Sequence, residues 1–181
     1  MKVVFIVPAY NASRNLDELS SSLLSQRDDR WSCIVVDDMS DDDTHKRSSM
    51  LPEYKFSTIK NRIKKHALRN IVENSRLFQE RDDVIIAVVD GDDSLCNNDT
   101  VSHIIERYEL ENDIVWTAHA WDINGMNISK EMPEGVDPYA WQWSSSHLRT
   151  FKASLLKNVS DKNFKDISGK WFERGYDQAL M

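Results

Sequence analysis

Val84-Ile85-Ile86-Ala87-Val88-Val89-Asp90-Gly91-Asp92-Asp93 is a run of apolar residues that ends abruptly in a cluster of acids. A strand with one wet face would alternate in polarity. An unbroken, β-branched run therefore marks a strand buried on both faces, as in the middle of a parallel sheet. The same signal recurs upstream. Val3-Val4-Phe5-Ile6-Val7 stops at Pro8, Cys33-Ile34-Val35-Val36 ends in Asp37-Asp38, and Phe56 to Ile59 is a weaker run of the same kind.

Helical patterns separate these runs. Leu16, Leu19, Leu23 and Leu24 fall on one helical face, with Asn11 or Ser13 as the expected cap and Asp17 and Glu18 in the first turn. Ala67, Asn70, Ile71, Asn74, Leu77 and Phe78 predict a second face, and Val101, Ile104, Ile105 and Tyr108 a third, started by Asn98 or Asp99. Strand and helix alternate through the first ~110 residues, which predicts an α/β fold with a mostly parallel sheet flanked by helices.

The second half changes character. Ile114-Val115-Trp116 reads as a strand, and Ile123-Asn124-Gly125-Met126 carries an Asn-Gly hairpin signal. Ser154 to Val159 and Lys170 to Met181 read as helical. The chain stops inside the last pattern, with no capping glycine or polar tail, as a C-terminally truncated domain would. Residues 1–181 are expected to form a single domain, a nucleotide-binding half over about 1–95 and a mixed acceptor half over about 96–181.

Composition narrows the function classes. Hydrophobic residues make up 40% and charged residues 29% of the 181, a globular balance. A net charge of -7 argues against a nucleic-acid binder, which needs a basic face, but leaves room for a nucleotide whose phosphates are neutralised locally. Cys33 and Cys96 match no zinc spacing and suit a reducing, cytoplasmic setting, with Cys33 expected in the core. The N-terminal apolar run is too short for a signal segment or a membrane span.

Chemistry concentrates at strand ends. In a parallel α/β sheet, ligands bind beyond the carboxyl ends of the strands. Here those ends carry Pro8-Ala9-Tyr10-Asn11, Asp37-Asp38-Met39-Ser40 and Asp90-Gly91-Asp92-Asp93, all expected along one edge. Two carboxylates about 4 Å apart repel by roughly 4 kcal/mol at an effective dielectric near 20. Acids packed after a buried strand therefore call for a hard divalent cation, with the remaining ligands supplied by phosphate and water. Gly91 would let the backbone approach a ligand closely. A solvated acidic turn needs no ligand, and Asp37-Asp38 could simply cap the turn that follows. Asp41-Asp42-Asp43 reads as a solvated cap before Thr44. Tyr10 could pack at the rim or stack on a base, and Arg69 could be exposed or reach a phosphate.

The blocks Val3 to Asn11, Gln26, Val35-Val36-Asp37-Asp38-Met39-Ser40-Asp41-Asp42, Ala67-Leu68-Arg69-Asn70 and Val88-Val89-Asp90-Gly91-Asp92-Asp93 together resemble the family 2 glycosyltransferases, in order and in approximate spacing. A lone Asp-x-Asp is a weak motif; the ordered set is specific. The chain departs from the family in carrying Met39 where glycine is usual, and the family usually continues beyond the position of Met181.

The resemblance implies a GT-A, Rossmann-like fold and transfer, with inversion, of a sugar from a nucleotide-diphosphate donor, most commonly a UDP-sugar. The acceptor would be a saccharide, lipid or protein. By matching position, Pro8, Ala9, Tyr10 and Asn11 would line the base pocket, Asp38 would bond the base, and Asp90 and Gly91 would face the ribose. Arg69 would lie near the nucleotide, and Asp92 would ligate Mn²⁺ or Mg²⁺. Asp93 would be a neighbour of the metal or an acceptor contact. Asp177, in Gly175-Tyr176-Asp177-Gln178, would be the base that deprotonates the acceptor. Within Ser146-His147-Leu148-Arg149-Thr150-Phe151, Arg149 is the diphosphate candidate, and His147 is either a phosphate or acceptor contact or structural. Trp141 and Trp143 are candidate sugar-stacking residues at the rim.

Competing readings are a nucleotidyltransferase and a non-catalytic nucleotide- or saccharide-binding module. The first normally carries a glycine-rich phosphate loop after its first strand, and Pro8 to Ser13 has no glycine. A response-regulator receiver is disfavoured by the aromatic-rich second half.

Overall fold

Strand β1 (Lys2–Ala9) lies in the interior of the sheet, paired in parallel with β2 (Trp31–Asp37) on one side and β4 (Val84–Val88) on the other. The register sets Ile6 beside both Ile34 and Val88, which is why all three runs are apolar without alternation. In the computed structural model, which describes residues 1–127, 129–137, 140–142, 144–175 and 179–180, the strands form a six-stranded sheet. Its order is β3-β2-β1-β4-β6-β5, with β3 at Phe56–Lys60, β5 at Ile114–Trp116 and β6 at Arg149–Lys152.

Alternate residues of β1 supply two separate cores. Val3, Phe5 and Val7 pack with Leu16, Leu19 and Leu23 of α1 (Leu16–Leu24) and with Val101, Ile104 and Ile105 of α4 (Thr100–Glu109). Val4 and Ile6 face the other way, onto Leu68, Ile71 and Val72 of α3 (His66–Ser75). The result is a helix–sheet–helix sandwich, as the alternation predicts. Cys33 is buried in the first core. No helix among the described residues is long and apolar enough to cross a membrane.

Buried Gln26, just past α1, joins two helices. Its amide donates to the carbonyls of Ser22 (3.1 Å) and Asn97 (2.8 Å) and accepts the N–H of Val101 (3.2 Å) at the start of α4.

Several expectations are corrected. Neither Asn11 nor Ser13 caps α1, because both are used to tie the β1–α1 loop to the turn after β2. The N–H of Asn11 donates to Ser40, its Oδ1 accepts from Asp41, and the N–H of Ser13 donates to Asp42. Asn15 takes the cap position instead. Asp99 stands at the start of α4 without capping it, since its carboxylate pairs with Arg27 at 2.6 Å. Leu77 is 68% exposed because α3 ends at Ser75 and tightens into a 3₁₀ turn over Arg76–Phe78, which rotates it off the apolar face. Short helix α2 (Thr44–Ser48) follows the acidic run, where Asp42 accepts the Thr44 N–H.

The second half holds the larger surprises. β6 was not anticipated; its pairing is antiparallel to both β4 and β5, so β5 runs parallel to β4. The Asn-Gly signal does mark a reversal, with Gly125 at φ 66° and Ala120 bridged to Asn127. Ser154 to Val159 is 3₁₀-helical over Ala153–Asn158. Residues 170–175 are not helical. The Asp166 carboxylate accepts the N–H groups of Ser168 and Lys170, Gly169 adopts φ 80°, and the reversed chain bridges Trp171 to Lys165. Trp143 and Asp177 lie outside the described residues.

Candidate active site

Parallel register brings the predicted strand ends to one edge. Ala9 pairs with Asp37, and the ladder continues past β4 through Val89 N–H to Ile6 O and Gly91 N–H to Pro8 O, both 3.2 Å. Because β6 runs the opposite way, its amino end reaches that same edge and carries His147 and Arg149 with it. Because β5 runs with β4, its carboxyl end delivers Thr117 and His119 there too.

Asp38 is 4% exposed and already engaged. Its Oδ1 accepts the Asn61 amide and the Lys65 N–H, and its Oδ2 accepts the His66 N–H, each at 2.8 Å. Burial raises its pKa, but the backbone bond from Lys65, the amides of Asn70 and Asn61 and the His66 N–H outweigh that and leave it below the usual carboxylate range. Asp37 is buried, and its Oδ1 accepts the Ser40 N–H, the turn-capping role open to it from sequence.

Tyr10 is 47% exposed, and the Lys64 ammonium lies 3.0 Å from its ring centroid. Gly91 is buried, and a β-carbon there would stand 3.1 Å from Ala9 Cβ and 3.2 Å from Ala12 Cβ. The close approach that Gly91 permits is thus to the β1–α1 loop. Arg69 donates to Glu73 at 2.6 Å, with its guanidinium 5.9 Å from the Trp171 ring centroid.

The acids are met by imidazoles. His147 Nε2 is 3.5 Å from an Asp90 oxygen, and its Nδ1 is 3.5 Å from an Asp93 oxygen. Arg149 is only 1% exposed, with Nη2 3.3 Å from His147 Nδ1. Burial lowers the His147 pKa, aided by Arg149 and opposed by Asp90 and Asp93. Asp93 is raised, chiefly by burial and further by Asp90 and Asp92, against the pull of His147. Asp92 is exposed.

His119 was missed from sequence. Its ring centroid is 5.3 Å from that of His147, and Asp93, His119 and His147 can each offer one ligand atom such that all lie within 4.8 Å of one another. This group contains Asp93 but not Asp92. The strand-end rule reaches His119 only once Ile114-Val115-Trp116 is known to run with β4, which its pairing to β6 establishes. Carboxylate and imidazole donors suit a divalent ion, so the residues present fit one.

A cavity of about 460 Å³ opens beside this cluster, lined by Asp92, Asp93, His119 and His147 together with Leu95 and Trp121. Tyr10, Asn11, Asp38 and Arg69 do not line it; the first three sit further along the edge, across the Gly91 turn. Trp141, 37% exposed, does not line it either.

Comparison with solved structures places the fold. The chain is similar to TarS residues 1–349 from S. aureus in complex with UDP, with TM-score 0.68 and 21% identity over 98% of this chain and 53% of that one. The same protein in complex with UDP-GlcNAc gives TM-score 0.68 and 19% identity over 99% and 53%. The chain thus spans about half the length of these TarS chains. A 4-diphosphocytidyl-2C-methyl-D-erythritol synthase shares the fold at TM-score 0.59 and 14% identity, covering 99% of this chain and 95% of that one. No curated protein sequence matches significantly. The family model for glycosyl transferase family 2 matches residues 4–170, which takes in β1 from Val4 onward, every other strand described above and the whole acidic edge, and the chain belongs to that family.

Proposed function

We propose that this domain transfers a sugar from a nucleotide-diphosphate sugar to an acceptor hydroxyl, with inversion and with the help of a divalent cation. The observation that carries the reading is the meeting of Asp90 to Asp93 with His147 on the same sheet edge as Tyr10 and Asp38, in a family 2 domain. The complexes of TarS with UDP and UDP-GlcNAc favour a uridine donor.

In this reading Tyr10 stacks on the base, Asp38 accepts a hydrogen bond from it, and Asp90 turns toward the ribose. Asp92, exposed at the cavity mouth, faces the diphosphate and its Mn²⁺ or Mg²⁺. When bound, the ion neutralises the diphosphate and stabilises it as a leaving group. Asp177 removes the acceptor proton as the bond to the anomeric carbon forms. The acceptor, a saccharide, lipid or protein, approaches from the side of the cavity lined by Trp121. A cytoplasmic setting belongs to the same reading.

The test is release of nucleoside diphosphate from a panel of donor sugars with Mn²⁺ or Mg²⁺. Asp92→Asn is expected to weaken donor binding, and Asp177→Asn to leave donor binding near normal and abolish transfer. Full transfer by both variants would remove the site assignment. A nucleotidyltransferase, whose fold is shared, would release pyrophosphate from a nucleoside triphosphate instead, and a binding module would release nothing.

A further inference from the structure

We propose that Asp93, His119 and His147 together ligate the cation, so that this site selects a first-row transition ion such as Mn²⁺ over Mg²⁺. The inference rests on the reading that the edge holds a cation, but not on sugar transfer.

Three observations carry it. The first is convergence: one ligand atom from each residue lies within 4.8 Å of the others, although the residues come from the end of β4, the end of β5 and the approach to β6. Ligands about 2.1 Å from a shared ion are separated by about 3 to 4 Å, so side-chain movements under about 1 Å would close the set.

The second is that the convergence is built. Thr117 and Leu148 exchange two hydrogen bonds, Thr117 N–H to Leu148 O at 3.1 Å and Leu148 N–H to Thr117 Oγ1 at 2.9 Å. That clamp fixes the two histidine-bearing segments side by side. Asn127 Oδ1 accepts the His119 N–H at 3.0 Å across the hairpin and sets the direction of the segment.

The third is that the acids bracket the imidazole without a close hydrogen bond to it, while its Nδ1 lies 3.3 Å from Arg149 Nη2. Both His147–carboxylate separations are 3.5 Å, longer than an N–H···O hydrogen bond of about 2.7–3.2 Å. Carboxylates and a half-buried ring are thus held around a common point at more than hydrogen-bond distance from one another. A cation there would take a nitrogen from each ring and an oxygen from Asp93, leaving its other positions to diphosphate oxygens and water.

The donor set determines the metal. Mg²⁺ is hard, dehydrates reluctantly and is bound mainly by oxygen, whereas imidazole nitrogen favours first-row transition ions. An all-carboxylate site would not make this distinction.

The measurement is Mn²⁺ binding to chelator-treated protein by electron paramagnetic resonance, without nucleotide. The expected result is ¹⁴N hyperfine coupling on the bound ion, less than half displacement by a hundredfold excess of Mg²⁺, and at least tenfold weaker binding in His119→Ala and His147→Gln. Absence of nitrogen coupling, or displacement by equimolar Mg²⁺, overturns the proposal, and neither readout depends on a variant. If the ion binds as expected and no donor turns over, sugar transfer falls and the ion site stands. If Mg²⁺ supports transfer as well as Mn²⁺ and the histidine variants retain it, the ion site falls and sugar transfer stands.

Discussion

The carboxylate of Asp38 accepts the backbone N–H of His66 at 2.8 Å, and so fastens the first residue of α3 to the end of β2. With the Lys65 N–H and the Asn61 amide on its other oxygen, this side chain organises the whole turn from Lys60 to His66. Asp38→Ala leaves the buried Asn61 amide and the part-buried Lys65 and His66 N–H groups without this acceptor, at about 1–3 kcal/mol for each partner that stays unsatisfied. The expected loss is about 3 kcal/mol, seen as a fall in Tm of about 9 °C.

The same residue predicts a pH dependence. Its folded-state pKa is depressed, so its contribution is complete above the unfolded carboxylate value of about 3.9 and disappears as pH falls through the folded value. The Tm difference between the parent and Asp38→Ala should be constant from pH 5 to 8 and narrow below about pH 4. A gap as wide at pH 2 as at pH 7 would mean that the charge is irrelevant.

Met39 adopts φ 64° at the position where the family usually has glycine. A left-handed conformation costs a residue with a β-carbon about 1–2 kcal/mol, partly offset in a glycine variant by greater unfolded-state entropy. Met39→Gly should therefore stabilise the fold by about 0.5 kcal/mol in urea denaturation, and a destabilised variant would contradict this.

Gly91→Ala pushes a methyl against Ala9 and Ala12, neither of which can rotate away. Overpacking of this kind costs about 1–3 kcal/mol. The acidic turn should shift with the added carbon, so calorimetry is expected to show both a lower Tm and weaker binding of UDP with Mn²⁺.

Tyr10→Ala separates recognition from stability. The ring is half exposed, so its loss should scarcely alter Tm. Base–aromatic stacking is worth about 1–3 kcal/mol, and UDP binding should weaken by at least about fivefold. Unchanged affinity would move the base elsewhere.

The sheet was legible from sequence wherever burial was two-sided and apolar, as in Val3 to Val7 and Val84 to Val89, because nothing else accounts for such runs. Strand β6 was hidden for the opposite reason. Arg149 and Thr150 are among the most buried residues, and the partners that make this tolerable, such as Tyr108 and the Val115 carbonyl for the Thr150 hydroxyl, are distant in the chain. At the edge, Asp38 and Asp90 were visible as acids ending strands. His119 was not, since its relevance depends on the direction of β5, which only the pairing of β6 reveals. Residues 170–175 carried a helical pattern that the Asp166–Gly169 turn overrode through local hydrogen bonds.

The buried amide of Gln26 makes the two jaws of the cavity unequal. It braces the jaw bearing Leu95 and Thr100 against both neighbouring helices, whereas the opposing jaw at Trp121 and Ile123 is an exposed hairpin tip. Replacements at the hairpin tip can therefore reshape what the cavity admits while leaving the acidic edge in place, so divergence in substrate choice should accumulate on that jaw and spare the other.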